Sequence, residues 1–293
     1  MDYQQFIQVI EKEVKENVKK DVKVCMHTVI KNNGKERQGI TLSEQGVNIS
    51  PTIYLEEYYE KFRGGKSVKD ITDSILMLYE EVRFHHSWEA SCVQEYETVK
   101  DKIVYKLIGE KRNAELLLKV PHVQFLDLAM VFYVILELDQ HGTATMLIRK
   151  ENLEAWGITE EVLRKQAVQN TPRILPAKFS TMKSVIAEMM GEESGEEEEE
   201  DNMFILSNCV RNNGACCILY PNVLEQIGCR LQENYYVLPS SIHEVIIIPE
   251  SVSPLKEDLE EMIQEINMTQ VAREEILSDH PYYYKREEKK LIL

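Results

Sequence analysis

The sequence has no apolar run long enough to cross a bilayer, because charged residues or prolines interrupt each hydrophobic stretch before about 20 residues. Residues 1–20 also lack the basic and then apolar layout of a secretory signal, and they favour an amphipathic helix instead. We therefore expect a cytoplasmic protein without a membrane anchor. Its 293 residues, 43% of them hydrophobic, suffice for one large domain or two of ordinary size.

Motifs that identify several enzyme and metal-binding classes are missing as well. No cysteine pair is spaced as CxxC, and no HExxH, GxSxG or GxxxxGK(S/T) motif occurs. The six cysteines, including the adjacent Cys216 and Cys217, lie mostly in apolar patterns, where thiols behave as small hydrophobic groups. His85 and His86 are adjacent, so on a helix their rings would diverge and would not easily share one ion. We therefore expect neither a metal nor a cofactor.

Negative charge dominates the composition. The formal net charge is −16, and residues 192–201 (EESGEEEEED) supply eight of the carboxylates. A field of this sign repels phosphate backbones, so we expect no nucleic-acid partner. A run of this composition is typical of a solvated, disordered linker. An acidic surface can also meet a basic protein, and we therefore expect any partner to be a protein.

The acidic run divides the chain into a predicted N-terminal domain (1–190), a linker (191–202) and a C-terminal part (203–293). In the first domain, Asn33-Gly34 predicts a hairpin turn between two β-type runs. Ser67 and Asp70 have the spacing of a capping box at the start of a helix. The segment DLAMVFYVILELD, which begins at Asp127, predicts a central strand buried on both faces. Of two later helices, the second is expected to end at Pro172.

The C-terminal part predicts the order β-β-α-β-β-α. Its first two strands are MFILSNCV and ACCILY on either side of an NNG turn, and a loop PSSIHE separates the second pair. The tyrosine-rich tail is expected to dock on the body of the protein. The fold class that follows is α+β, with two mainly antiparallel sheets that carry helices on one face of each and are joined by the acidic linker.

Successive blocks along the chain carry a resemblance to a known family. They are GVNISPTIYLEEYYEKFRGGKSV, VPHVQFLDLAMVFYVILE, ENLEAWGITEEVL, GACCILYPNVLEQIG and YYVLPSSIHEVIIIP. Together they resemble a domain-of-unknown-function family of anaerobic gut Firmicutes, and the block order is distantly similar to a second uncharacterised bacillar family. The resemblance implies a bacterial, cytosolic setting. It supplies no catalytic residues, because neither family has an assigned activity.

The loop PSSIHE contains the strongest candidates for catalysis. Ser241 and His243 are two residues apart, so on an extended strand their side chains would share a face. With a remote carboxylate such as Asp127, they would supply the nucleophile, base and orienting group of a hydrolase. The same residues also suit a polar turn, in which hydroxyl groups bond to nearby backbone N–H groups.

We therefore predict a non-enzymatic interaction or regulatory protein of the bacterial cytoplasm. The alternative is a hydrolase that uses Ser241 and His243 with a remote carboxylate. A hydrolase should bring these groups together in a pocket, whereas a binding protein should hold them by hydrogen bonds to the backbone. The sequence leaves the oligomeric state open.

Overall fold

The computed structural model describes residues 1–44, 50–82, 93, 95–139, 142–191 and 202–293. The fold is α+β, and its strands form three antiparallel sheets of three, four and six strands rather than the two expected. By contacts, the chain divides into one unit of Met1–Val99 with Glu137–Ala144 and another of Lys100–Leu136 with Thr145–Leu293. The predicted division into 1–190, a linker at 191–202 and 203–293 stays a prediction.

The first unit combines one sheet with several helices. Its hairpin turns at Asn33 and Gly34, whose φ angles of 59° and 66° confirm the predicted turn. Ser67 and Asp70 form the predicted capping box, in which each backbone N–H donates to the other side chain. The elements are α1 (Tyr3–Asn17), β1 (Val22–Ile30), β2 (Glu36–Glu44), β3 (Thr52–Tyr54), α2 (Glu56–Arg63), α3 (Val68–Val82) and α4 (Tyr96–Val99).

One hydrophobic core holds this unit together. Helices α1, α2 and α3 pack on the sheet face that carries Val24, Ile40 and Leu42. Phe6 and Ile10 of α1 lie in its centre and are fully buried, as their helical spacing predicted. All three helices thus cover a single face of the three-stranded sheet, in agreement with the expected arrangement.

A four-stranded sheet, most of whose residues belong to the second unit, is built around one buried strand. Strand β6 pairs with β4, β5 and β7, which confirms its predicted central position. The hydroxyl group of Thr159 accepts a hydrogen bond from the backbone N–H of Val162 and thereby caps the start of α7. The elements are β4 (Ile103–Gly109), α5 (Ala114–Leu117), β5 (His122–Phe125), β6 (Leu128–Asp139), β7 (Gly142–Leu147), α6 (Lys150–Trp156) and α7 (Glu160–Ile174).

The remaining elements form a six-stranded sheet and its helices. The strand order is β13-β12-β10-β11-β9-β8, so the tyrosine-rich tail supplies β12 and β13 and is docked as predicted. Strands β8 and β9, on opposite sides of the acidic run in sequence, are neighbours. The elements are β8 (Ala177–Thr181), α8 (Met182–Met190), β9 (Phe204–Asn208), α9 (Val223–Leu231), β10 (Tyr235–Leu238), β11 (Val245–Pro249), α10 (Lys256–Thr269), β12 (Tyr282–Lys285) and β13 (Lys290–Ile292).

Helices lie on both faces of the six-stranded sheet, and the expectation of one covered face is wrong here. Leu259 and Ile263 of α10 pack against Leu238 on one face. On the opposite face, the hydroxyl group of Tyr235 donates to the backbone carbonyl of Leu224 in α9. Because residues on a strand alternate between faces, two covered faces give this sheet nearly continuous apolar strands.

The predicted strand ACCILY is a 3-10 helix over Gly214–Leu219. Asn213 precedes it with a left-handed φ of 53°, which turns the chain before a strand can form. The segment is buried from Gly214 to Ile218, and such a run has no alternation by which a strand could be distinguished from a helix. The predicted order β-β-α at the start of the C-terminal part is therefore wrong at its second element.

The predicted helix end at Pro172 is also wrong, because α7 continues to Ile174. Tertiary hydrogen bonds hold its last turn in place. Asn170 donates to the carbonyl of Ile103 at 2.9 Å, and Thr171 accepts from the backbone N–H of Tyr105 at 3.1 Å. These contacts with β4 outweigh the preference of the residue before proline for an extended conformation.

Two features of the sequence lie outside the described residues. They are the acidic run at 192–201 and the histidine pair His85 and His86, so the expectations for both stay predictions. None of the helices in the described ranges combines the length and the apolar character needed to cross a membrane.

Candidate functional site

The loop that contains Ser241 is fixed by backbone pairing with residues 275–278. The N–H of Ile242 donates to the carbonyl of Glu275 at 2.8 Å. The N–H of Leu277 donates to the carbonyl of Ser240, and the N–H of Ser278 donates to that of Pro239. The loop therefore continues the antiparallel arrangement beyond the end of β10 and is held like a short strand.

Ser241 and His243 are brought together, and the backbone is the donor in their contact. The N–H of His243 donates to Oγ of Ser241 at 3.1 Å. Nδ1 of His243 accepts from the N–H of Asn213 at 3.3 Å, so a neutral ring carries its proton on Nε2, 3.5 Å from a carboxylate oxygen of Glu275. A general base needs a free lone pair, and a backbone donor already uses the one on this ring.

Ser207 and Gly214 pack closely against the backbone of His243. The hydroxyl group of Ser207 donates to the carbonyl of His243 at 2.7 Å. A Cβ atom at Gly214 would lie 2.2 Å from Oγ of Ser207 and 2.6 Å from the carbonyl oxygen of His243. Only glycine fits at this position, and the NNG turn thereby packs directly against the PSSIHE loop.

Asp127 belongs to a different group of side chains. It is the second residue of the two-residue turn between β5 and β6, after Leu126 with a left-handed φ of 54°. Its carboxylate accepts from the hydroxyl groups of Ser278 at 2.6 Å and Tyr282 at 2.5 Å. Burial, and then the negative charge of Asp127, raise the pKa of Tyr282 far above its ordinary value, so the phenol remains a donor.

Further hydrogen bonds tie the Asp127 group to α10. Asn267 of α10 donates to the carbonyl of Ser278 and to the carboxylate of Asp279, both at 2.9 Å. Arg112 reaches the other carboxylate oxygen of Asp279 at 2.5 Å. Asp127 is therefore used in a network that joins the β5–β6 turn to α10 and β12.

The sequence candidates thus fall into two groups. Ser241 lies with His243, whereas Asp127 bonds to Ser278 and Tyr282. Catalysis by Ser241, His243 and Asp127 stays a prediction.

The adjacent thiols of Cys216 and Cys217 lie in the 3-10 helix and are fully buried. A hydrogen bond with Cys216, and then burial, raise the pKa of the Cys217 thiol well above its ordinary value. The reactive form of cysteine is the thiolate, so this thiol is a poor nucleophile.

A surface that sequence reasoning missed lies on α8. Val185 faces the interior, whereas Ile186, Met189 and Met190 are 49%, 74% and 67% exposed. Their spacing of three and four residues puts these three side chains on one side of the helix. We call this group the α8 stripe. The signal in the sequence was the segment VIAEMM, which has more apolar positions than one buried helix face requires.

The acidic run follows α8 directly in the sequence. Gly191 ends the helix with a φ of 73°, and the acidic run begins at the next residue. The run ends next to Asn202, and the following residue, Met203, accepts a hydrogen bond from the N–H of Met182 at the start of α8. In sequence, the eight carboxylates of residues 192–201 therefore lie between the C-terminal end of α8 and Met203, which is hydrogen-bonded to the first residue of the helix.

The fold and this surface describe an α+β protein with a solvent-exposed apolar face on a helix that an acidic segment follows in the sequence. Residues 3–286 match the model of the family of unknown function DUF5688, and the chain belongs to that family. A search of curated proteins and a search of solved structures found no match.

Proposed function

We propose that the chain is a non-enzymatic interaction protein that binds, through the α8 stripe, a protein segment with both apolar and basic side chains. The observation that carries this proposal is the exposure of Ile186, Met189 and Met190 on one side of α8. Contiguous apolar groups at a surface are typical of binding sites, since single exposed apolar residues are common but clusters are not.

The side chains of the stripe suit a docking surface. Burying one such side chain against a partner contributes about 1.5–3 kcal/mol, so three of them supply a useful part of a moderate affinity. Methionine is flexible and polarizable, and it adapts to partners of different shape. An apolar or amphipathic partner segment therefore fits this side of α8.

The acidic run defines the rest of the partner's chemistry. Eight carboxylates follow α8 in the sequence, beginning at the residue after Gly191, so a partner that covers the stripe should meet a negative field. Lysine or arginine beside the apolar groups of the partner would match this field and would accelerate association at low salt. The partner that fits both features is a basic amphipathic segment of a protein.

We place this interaction in the bacterial cytoplasm, in gut Firmicutes and their relatives, with neither nucleic acid nor membrane as partner. Support comes from the resemblance of the sequence blocks and from the negative net charge of −16. The cysteines of the described residues are free thiols, which fits a reducing compartment.

A model peptide tests the proposed function. The probe is a fluorescein-labelled amphipathic helix of leucine and lysine, and its binding is followed by fluorescence anisotropy. Replacing Ile186, Met189 and Met190 with serine should weaken binding about tenfold or more, because the apolar contact is lost while every charge remains. The matched control is Met268→Ser on α10, a methionine that is 80% exposed, and it should bind as the unmodified protein does.

Charge is tested separately with the same probe. Replacing Glu196, Glu197, Glu198, Glu199 and Glu200 with glutamine should weaken binding at low salt and flatten its salt dependence. An unchanged affinity of the triple serine variant, with an unchanged circular dichroism spectrum, would refute the α8 stripe as the binding site. Affinity capture from a host lysate, compared between the same variants, then identifies the natural partner.

A further inference from the structure

Methionine is concentrated at one place in this chain. Four of the eleven methionines lie between residues 182 and 203, and all four are on α8 or directly beside its first residue. Met189 and Met190 are among the most exposed apolar side chains of the described residues, and Met203 is 43% exposed. Leucine would give a similar apolar surface with about the same helix propensity, so neither property explains why methionine is used here.

We propose that Met189 and Met190 are sites of reversible oxidation by hydroperoxides, and that their oxidation releases the partner of the α8 stripe. The inference rests on the proposed docking function of that stripe. In addition to docking, it assigns to this site a chemical modification by hydroperoxides and a regulation of partner binding.

The chemistry is an oxygen-atom transfer to the thioether. The sulfur atom attacks the terminal oxygen of hydrogen peroxide, an S–O bond forms, and the O–O bond breaks. The displaced hydroxide takes up the proton of the transferred oxygen and leaves as water. The sulfur is oxidised by two electrons to the sulfoxide, and the peroxide is reduced by two electrons.

Exposure selects which methionines react. The sulfur atom must meet the peroxide directly, so Met189 and Met190 are open to it, whereas Met130 of the central strand β6 is only 8% exposed. We therefore expect the methionines of the stripe to be oxidised long before Met130. Met268 is also highly exposed, but it lies on α10 outside the stripe, so its oxidation should not affect docking.

The sulfoxide group changes the surface from apolar to polar. It is a strong hydrogen-bond acceptor, and a partner that buried it against apolar groups would have to remove its water. Two such groups on one side of α8 should weaken binding roughly tenfold or more. Methionine sulfoxide reductases restore the thioether, so the change is reversible.

The experiment combines peroxide treatment with the peptide measurement. The full chain is exposed to dilute hydrogen peroxide, the sites of oxygen addition are mapped by mass spectrometry, and binding of the leucine–lysine helix is measured before and after. The test variant is Met189→Leu with Met190→Leu, which keeps the apolar surface and removes both sulfur atoms. The control is Met268→Leu.

We expect oxygen at residues 189, 190 and 268 well before Met130, with binding of the unmodified chain and of Met268→Leu weakened roughly tenfold and then restored by the reductases. The double leucine variant should bind equally well before and after peroxide. Unchanged binding of a chain oxidised at both residues would overturn the redox proposal and leave the docking proposal intact. Loss of binding by the oxidised double leucine variant would overturn it as well. Absence of binding before any oxidation would instead overturn the docking function and the redox proposal with it.

Discussion

Oγ of Ser241 accepts a hydrogen bond from the backbone N–H of His243 at 3.1 Å. The hydroxyl oxygen thus completes a turn of the kind that serine commonly forms with a backbone N–H two residues later. The same histidine has its Nδ1 bonded to the N–H of Asn213 and its carbonyl bonded to Ser207, so the hydroxyl group of Ser241 and both of these groups of His243 have structural roles.

Substitution of Ser241 measures how much this hydrogen bond contributes to stability. Ser241→Ala removes the acceptor for the N–H of His243, so the free energy of unfolding should fall by about 1 kcal/mol. Urea unfolding provides the measurement. The control is Ser74→Ala on α3, whose hydroxyl group donates only within its own exposed helix turn, and it should be neutral or slightly stabilising. Equal stability of Ser241→Ala and the unmodified protein would show that the turn does not depend on this bond.

Gly214 gives a second prediction. Gly214→Ala would force a Cβ atom to within 2.6 Å of the backbone nitrogen of Asn208 and the carbonyl oxygen of His243, neither of which can move freely. We expect a loss of about 1–3 kcal/mol in the free energy of unfolding, measured in urea. Gly64→Ala is the matched control, because its Cβ would meet backbone atoms no closer than 3.4 Å and its φ is −73°. A stability loss that is the same for both variants would contradict the packing argument.

Substitution of two neighbouring tyrosines on β12 tests how much the hydrogen bonds of Asp127 contribute to stability. Tyr282→Phe removes a buried donor to the Asp127 carboxylate and should lower the free energy of unfolding by about 1.5–3 kcal/mol. Tyr283→Phe removes an exposed contact with Glu250, and the expected loss is about 0.5 kcal/mol or less. Thermal or urea unfolding of the two variants in parallel gives the comparison. A larger loss for Tyr283→Phe than for Tyr282→Phe would show that the network adds little stability.

The lowered pKa of Asp279 predicts that the stability of the protein depends on pH. Partial burial raises its pKa, but hydrogen bonds from Arg112 and Asn267 outweigh this effect and hold the pKa of the carboxyl group below its ordinary value. A carboxylate with a lowered folded-state pKa stabilises the protein above its unfolded pKa of about 3.9, and this contribution disappears as the pH falls through the folded-state pKa. Stability should therefore fall in that acid range.

The variant Asp279→Asn should flatten the acid fall in stability, measured by urea unfolding at a series of pH values. Arg112→Gln should flatten it as well, because it removes the cation that favours the ionised carboxyl group. Profiles that keep the slope of the unmodified protein in both variants would refute the assignment of this pH dependence to the pair.

Local sequence signals predicted several elements correctly. Asn33 and Gly34 tolerate positive φ, and Ser67 with Asp70 satisfies the first backbone donors of a helix, so each pair acts within a few residues. The central strand β6 was predictable because a segment buried on both faces must be apolar throughout. Proximity of Ser241 and His243 was likewise a local matter, since they are two residues apart.

Other features depend on contacts between distant segments and could not be predicted from the sequence. The last turn of α7 continues past Pro172 because β4 bonds to Asn170 and Thr171, and no local signal reports that contact. The buried 3-10 helix at Gly214–Leu219 has the composition of a core strand. Asp127 bonds to Tyr282, which is more than 150 residues away in sequence, so its partners could not be found by spacing.

The sequence by itself determined the α+β class, the negative charge, the turns and the helix starts, because these depend on the chemistry of a few neighbouring residues. The tertiary structure alone decided that β8 pairs with β9 across the acidic run, and that the hydroxyl group of Ser241 serves its own loop. It also decided that Val185 of α8 is covered while Met189 is open to solvent. Which side of an apolar helix is buried depends on the elements that pack against it, and those lie elsewhere in the chain.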